Sequence, residues 1–182
     1  MRKIKLFICV CLVFLSSAFV WYRSNNWTVK NDYILKFRFG KYSFGVDSMP
    51  APNYGTIKGL KASIIFDQEH PEQSKIFATV EAKTIDTGNS SKNASATGPD
   101  VLISDQFPLL SFESSTITKS NSGYVANGKL TIKNITRDIQ FPFVFANNTF
   151  EGGFTIESKD FHFTHPHVPE YISVFFILPV NR

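Results

Sequence analysis

The sequence predicts an all-β protein, an antiparallel sheet of about eight strands closed into a barrel. Three observations predict it. Apolar residues recur with a period of two in one segment after another, as in strands with one covered face. Short polar clusters rich in Gly, Asn, Ser and Pro separate these segments, and the body carries no helical repeat of apolar positions. An antiparallel sheet of that size tends to close rather than leave two edges open.

Residues 1–23 are set apart from the body at 24–182. Met1-Arg2-Lys3-Ile4-Lys5 is a basic start, and residues 6–15 are an apolar run. Ser16-Ser17-Ala18 offers small residues for cleavage, as in a secretory signal peptide. The apolar run also reads on to Tyr22, 17 residues from Leu6, which is long enough for a retained membrane anchor. Both readings predict export to the periplasm or cell envelope. Cys9 and Cys11 both lie in this segment, so the body has no cysteine for a disulfide, a thiolate nucleophile or a metal site.

The formal charge of +4 comes from the same segment. Arg2, Lys3, Lys5 and Arg23 are there, leaving 15 basic residues against 15 acidic ones in the body. A neutral body with interspersed signs argues against nucleic acid as a partner. The body must be stable through its core, which a chain of this length can bury. With 16 of the chain's 19 Phe residues in the body, that interior is expected to be aromatic and apolar.

Trp27, Thr28 and Val29 open the body, and a strand over 33–39 places Phe37 and Phe39 on one face. After Gly40 the phase shifts to Tyr42, Phe44 and Val46, predicting a bulge or bend before a loop over 49–55. Leu60, Ala62, Ile64 and Phe66 alternate in a strand over 56–67. Ile76, Ala78, Val80 and Ala82 alternate over 75–86, with smaller inner groups that leave room. Residues 86–106 are the one long irregular region, predicted to be a flap over one end of the sheet, with a short helical turn near 99–104.

Three strands follow in a meander, over 107–117, 123–132 and 135–145. Tyr124, Ala126, Gly128, Leu130 and Ile132 share one face. Ile135, Ile139, Phe141, Phe143 and Phe145 share the next, with Arg137 as the charged interruption. Phe150, Gly152, Phe154 and Ile156 alternate after a turn at Asn147-Asn148. Residues 160–170 form a kinked connection, and the last strand, over 171–180, is apolar on both faces, as expected of a covered strand.

Several stretches, taken in order, carry a family resemblance. They are Trp27-Thr28-Val29, Gly55-Thr56-Ile57-Lys58-Gly59-Leu60 leading to Phe66-Asp67, Thr84-Ile85-Asp86-Thr87-Gly88-Asn89, and Phe107-Pro108-Leu109-Leu110-Ser111-Phe112-Glu113. Gly128-Lys129-Leu130-Thr131-Ile132, Thr136-Arg137-Asp138-Ile139, Phe154-Thr155-Ile156 and Ile177-Leu178-Pro179-Val180 complete the set. Together they resemble the YceI-like family of exported, lipocalin-like barrels that bind polyisoprenoid lipids, over nearly the whole body. Two departures stand out. The family's first strand usually has a His-Ser pair after an Asp, where this chain has Asn31-Asp32-Tyr33-Ile34. The family's Arg-Asp followed by His-Leu is reduced here to Asp100-Val101-Leu102.

The resemblance implies an apolar lumen that holds a long-chain amphiphile, such as a quinone or polyprenyl phosphate, with the 87–104 flap gating one end. The expected lining is Phe37, Phe39, Ile64, Phe66, Val80, Phe112, Leu130, Phe141, Phe143 and Phe154. Each buried CH₂ gains ~0.8 kcal/mol, so tail burial alone predicts tight binding with low head-group selectivity. The competing expectation is an envelope interaction module with a packed interior and no cargo, since small barrels often fill with side chains.

Other constellations are weaker. His162, His165 and His167, with Asp160 and Glu170 nearby, could hold zinc, but Pro166 interrupts the strand pattern and a solvated loop explains them as simply. Glu113, Asp138 and Arg137 suit cross-strand pairs facing solvent. No nucleophile-elbow, phosphate-loop or zinc-helix motif occurs. No enzymatic activity, cofactor or metal is therefore expected. The expected partners are an isoprenoid or other amphiphile, a membrane through the N-terminal segment, and a second copy in a homodimer.

Overall fold

The computed structural model describes residues 25–42 and 54–182. The N-terminal segment, the phase shift at Phe44 and Val46 and most of the 49–55 loop lie outside the described residues. Among the described residues, ten strands form one continuous sheet. They are β1 (Asn26–Val29), β2 (Ile34–Phe39), β3 (Gly55–Thr56), β4 (Lys61–Ile65), β5 (Lys75–Glu81), β6 (Leu109–Ser120), β7 (Gly123–Ile132), β8 (Ile135–Ala146), β9 (Thr149–Glu157) and β10 (Tyr171–Asn181).

The sheet closes because β1 and β2 are two halves of one broken strand. Both run along β10, with Val29 opposite Val180 and Phe37 opposite Val174. On its other side β1 pairs with β4, Trp27 opposite Ile64, while β2 pairs with β3, Phe37 opposite Gly55. The second strand of the ring is likewise broken into β3 and β4, with Gly59 at φ +70° in the break, a left-handed backbone that suits glycine. Ten short strands thus make an eight-strand antiparallel ring, the expected closed barrel.

The long meander β6–β7–β8 forms one wall. A bulge between Ser114 and Thr116 shifts the β6 register against β7. It moves the inward parity from Leu110 and Phe112 to Ile117, which is fully buried. The last strand is covered on its outer face, as expected. Ser173 is fully buried there, its hydroxyl 2.9 Å from the Gly40 carbonyl and 2.6 Å from Thr155 Oγ1, while the Tyr42 amide donates to it at 3.1 Å.

Between β5 and β6 the chain departs from expectation. The short helical turn predicted near 99–104 is a series of turns. The helix lies earlier, as α1 (Ser90–Thr97), in the polar run expected to be irregular. No apolar period marks it. It forms because the Asn89 side chain caps it, accepting from the Lys92 amide at 3.0 Å. Asn93 then pins it to the preceding turn, accepting from the Thr87 amide at 2.8 Å and the Thr87 hydroxyl at 2.7 Å.

Candidate ligand-binding lumen

The barrel is filled at one end and hollow at the other. At the filled end, Trp27, Phe66, Phe143, Phe150 and Val180 form a buried cluster around Ile117 and Ala126. Phe66 is its hub, with Tyr124, Phe143, Phe145 and Phe150 rings at 5.0 to 5.7 Å in edge-to-face arrangements. The Trp27 indole N–H reaches the Phe66 carbonyl at 3.0 Å, so its one polar atom is satisfied. The 67–70 turn caps this end. Asp67 accepts the amides of Glu69 and His70 at 2.8 and 3.2 Å. Burial works to raise this carboxyl's pKa, but those amides and the His70 side chain outweigh it and hold the pKa below the usual value.

From Phe143 to the other end runs a cavity of about 670 Å³. That volume is within the range of small-molecule sites. Its walls are the inward alternates of the strands: Leu35 and Phe37 on β2, Ile64 on β4, Ile76, Ala78 and Val80 on β5, Leu110 and Phe112 on β6. Leu130 and Ile132 on β7, Phe141 on β8, Phe154 and Ile156 on β9, and Ile172 to Leu178 on β10 complete the ring. Two rings pack against glycines. Phe37 packs on Gly55, and Phe112 lies where a Cβ on Gly128 would come within 2.6 Å of it. A side chain at Gly55 would run into the Phe37 ring, and one at Gly128 into the Glu113 carbonyl and the Phe112 ring.

The mouth is lined by two connections. From the flap, α1 presents Ser91, Lys92, Ser95 and Ala96, and the turns beyond it insert Val101 and Leu102. The latter two are buried with Ala82, Leu130, Ile132, Ile156 and Phe161, which anchors the flap to the barrel. From the β9–β10 connection come Phe163, His165, His167, Val168 and Pro169. The Thr164 amide donates to the Asp100 carbonyl at 2.8 Å, tying the two connections together across the mouth. Lys83 and Asp105 pair at 2.6 Å at the foot of the flap, though both are exposed.

Nine of the ten residues expected to line the lumen do so: Phe37, Phe39, Ile64, Val80, Phe112, Leu130, Phe141, Phe143 and Phe154. Phe66 does not. It faces inward as its strand parity requires, but it is 1% exposed and belongs to the filled end. Strand parity tells inside from outside; it does not tell depth along the barrel axis. Sequence reasoning missed Ser91, Lys92 and Ser95, which come from a connection without periodicity; it singled out His165 and His167 with His162 as a zinc candidate, whereas here His165 and His167 border the cavity.

The remaining candidates fall elsewhere. Asp138, on β8, pairs with Lys129 on the outer surface at 2.9 Å, and Glu113, on β6, lies opposite Lys129 from the other side. His162 ends a 3-10 turn with φ +50°, and its carbonyl accepts from Lys133 at 3.1 Å. Among the described residues, no three His, Cys, Asp or Glu side chains come together as a metal site.

A family model described as a YceI-like domain matches residues 35–176, most of this barrel. The chain belongs to the YceI-like family. Curated relatives include UPF0312 proteins from Photorhabdus laumondii, 26% identical over 60% of this chain and 62% of that protein, and from Yersinia pestis, 26% identical over 70% and 72%. The match thus spans less than two thirds of the Photorhabdus protein. Among solved structures, BcnA of Burkholderia cenocepacia aligns with a TM-score of 0.73 at 23% identity, covering 85% of this chain and all of that one. A polyisoprenoid binding domain from Saccharophagus degradans aligns at 0.55 and 9% identity, covering 86% and 97%. These likenesses establish the shared YceI-like fold.

Proposed function

We propose that this YceI-like chain binds a long-chain amphiphile, with an isoprenoid lipid as the leading class, and carries or buffers it in the cell envelope. One observation carries the proposal: a preformed apolar cavity of about 670 Å³, open at one end and backed by a solid aromatic plug. A tail entering it exchanges water for Ile, Leu, Val and Phe side chains and is held by the hydrophobic effect alone. The polyisoprenoid-binding domain among its structural neighbours supports the isoprenoid class. The cavity favours this reading over an interior packed solid with side chains. On this reading the chain is exported through its N-terminal segment and acts as a binder, without enzymatic chemistry or a cofactor.

Native mass spectrometry of the body purified from a membrane-containing lysate tests it directly. The expected result is a discrete added mass that extracts into organic solvent as a prenyl lipid. A bare mass, unchanged after incubation with quinones and prenyl phosphates, would overturn the proposal.

A further inference from the structure

We infer that the mouth of the lumen selects an amphiphile with an oxyanion head, a phosphate or carboxylate, over one with a neutral or cationic head. The inference rests on the carrier reading above and concerns the polar end of the same ligand. The ionisable side chains bordering the cavity are lysines and histidines, and no Asp or Glu borders it among the described residues. Lys36 is one of them, but its ammonium is turned onto the Tyr54 ring at 3.8 Å, outside the lumen. That leaves Lys92, His165 and His167, all at the mouth.

Lys92 is exposed, and among the described residues no carboxylate pairs with it, so its charge is available to a ligand. The His167 amide donates to His165 Nδ1 at 3.3 Å. That leaves Nε2 to carry the proton, so even the neutral ring is a donor. The two imidazoles lie 5.7 Å apart. Ser91 and Ser95 border the cavity from the same helix as Lys92 and add hydroxyl donors. Donors from two separate connections therefore border the open end of the cavity, where the head group of a lumen-bound tail must emerge. An oxyanion can accept from these donors; an ammonium head would meet like charge at Lys92 and no acidic partner.

The test uses three ligands with one tail: farnesyl phosphate, farnesol and farnesylamine, titrated into the body by displacement of an apolar fluorophore. Farnesyl phosphate is expected to bind about fivefold to tenfold more tightly than farnesol, a modest gain because the rim is solvated. Farnesylamine is expected to bind most weakly. Lys92→Glu should bring the phosphate-to-alcohol ratio below one, and His165→Gln with His167→Gln should reduce it. Inorganic phosphate alone should displace nothing; if it bound as tightly as farnesyl phosphate, the rim would be a free-phosphate site and the lipid-head assignment would fall. Farnesol binding as tightly as the phosphate would overturn the head-group inference and leave the carrier reading standing. No binding of any of the three would overturn both.

Discussion

The two ends of this barrel are built from the same residue types on the same strand parities, yet one is a solid and the other a vessel. At the filled end, Phe66 meets four aromatic rings and Ala126 is wholly buried between Ile117 and Phe141. At the open end, Ala78 lies between Ala62 and Phe112, and the space beyond it is cavity. The difference is one of partners. Large rings face large rings at one end, while at the other small side chains on β5 face rings packed against glycine backbone. Stability should reside in the first region and binding in the second.

Truncation gives the largest contrast. Phe66→Ala should cost ~3–5 kcal/mol of unfolding free energy, because it opens a hole in a close-packed cluster that cannot collapse. Phe112→Ala should cost less than about 2 kcal/mol, because that ring already borders empty space. Urea denaturation of both variants checks this, and equal losses would show that the lumen is as tightly packed as the plug.

Addition reverses the pattern. Ala126→Leu forces extra carbons into a full core and should destabilise by ~1–3 kcal/mol. Ala78→Leu makes the same change in the lumen wall and should leave stability within about 0.5 kcal/mol, since the added groups have room. It should instead weaken displacement of the fluorophore by a long-tailed ligand. If Ala78→Leu destabilised as much as Ala126→Leu, the comparison would fail.

This comparison also marks how far the sequence could be read. Period-two alternation located the strands of the ring and assigned Ile64, Val80, Leu130 and Phe141 to its inner face. It could not separate Phe66 from Ile64, two residues earlier on the same face, because depth along the axis depends on which strands are broken and where. The breaks at 30–33 and at Gly59 are matters of closure, and closure is a long-range property. The bulge at Ser114–Thr116 was hidden because Thr and Ser fit either face. Helix α1 was hidden because a lone eight-residue polar segment is not stable by propensity; its cap and the anchoring of Val101 and Leu102 hold it in place. Lys92 was missed with it, and it borders the lumen only because the helix stands over the mouth.

The volume of the open region bounds the tail it can hold. At about 30 Å³ for a water-sized group, a cavity of 670 Å³ has room for about twenty carbons. Affinity in a series of prenyl phosphates should therefore rise with tail length, by up to ~0.8 kcal/mol for each methylene-sized group buried, and level off near the twenty-carbon member. Calorimetric titration of the ten-, fifteen-, twenty- and forty-carbon compounds checks it. A rise continuing undiminished to forty carbons would mean that the plug yields and the two ends are not distinct.

The smallest effect concerns how each end is capped, since both caps depend on an aspartate. Asp86 stands at the foot of the flap, its Oδ1 accepting the Gly88 amide at 2.8 Å and the Asn93 side chain at 3.2 Å. The Gly88 amide, then the Asn93 amide group, hold its carboxyl below the ordinary 3.8. A carboxyl lowered in the folded state contributes stability above its unfolded value and loses it as pH falls through the folded one. The flap should thus be unchanged between pH 7 and 5 and loosen below about pH 3.8. Asp67 at the other end is also lowered, so both caps should weaken in acid, but only the flap is held mainly by polar contacts and two buried aliphatic residues. Hydrogen-exchange protection factors should therefore fall at pH 3 for the amides of α1 and hold for those of β7 and β8 near Phe143. Asp86→Asn should show the loosened α1 already at pH 6. If wild-type α1 were protected equally at pH 6 and pH 3, the Asp86 hinge would have no part in closing the mouth, and Val101 and Leu102 would hold the flap unaided.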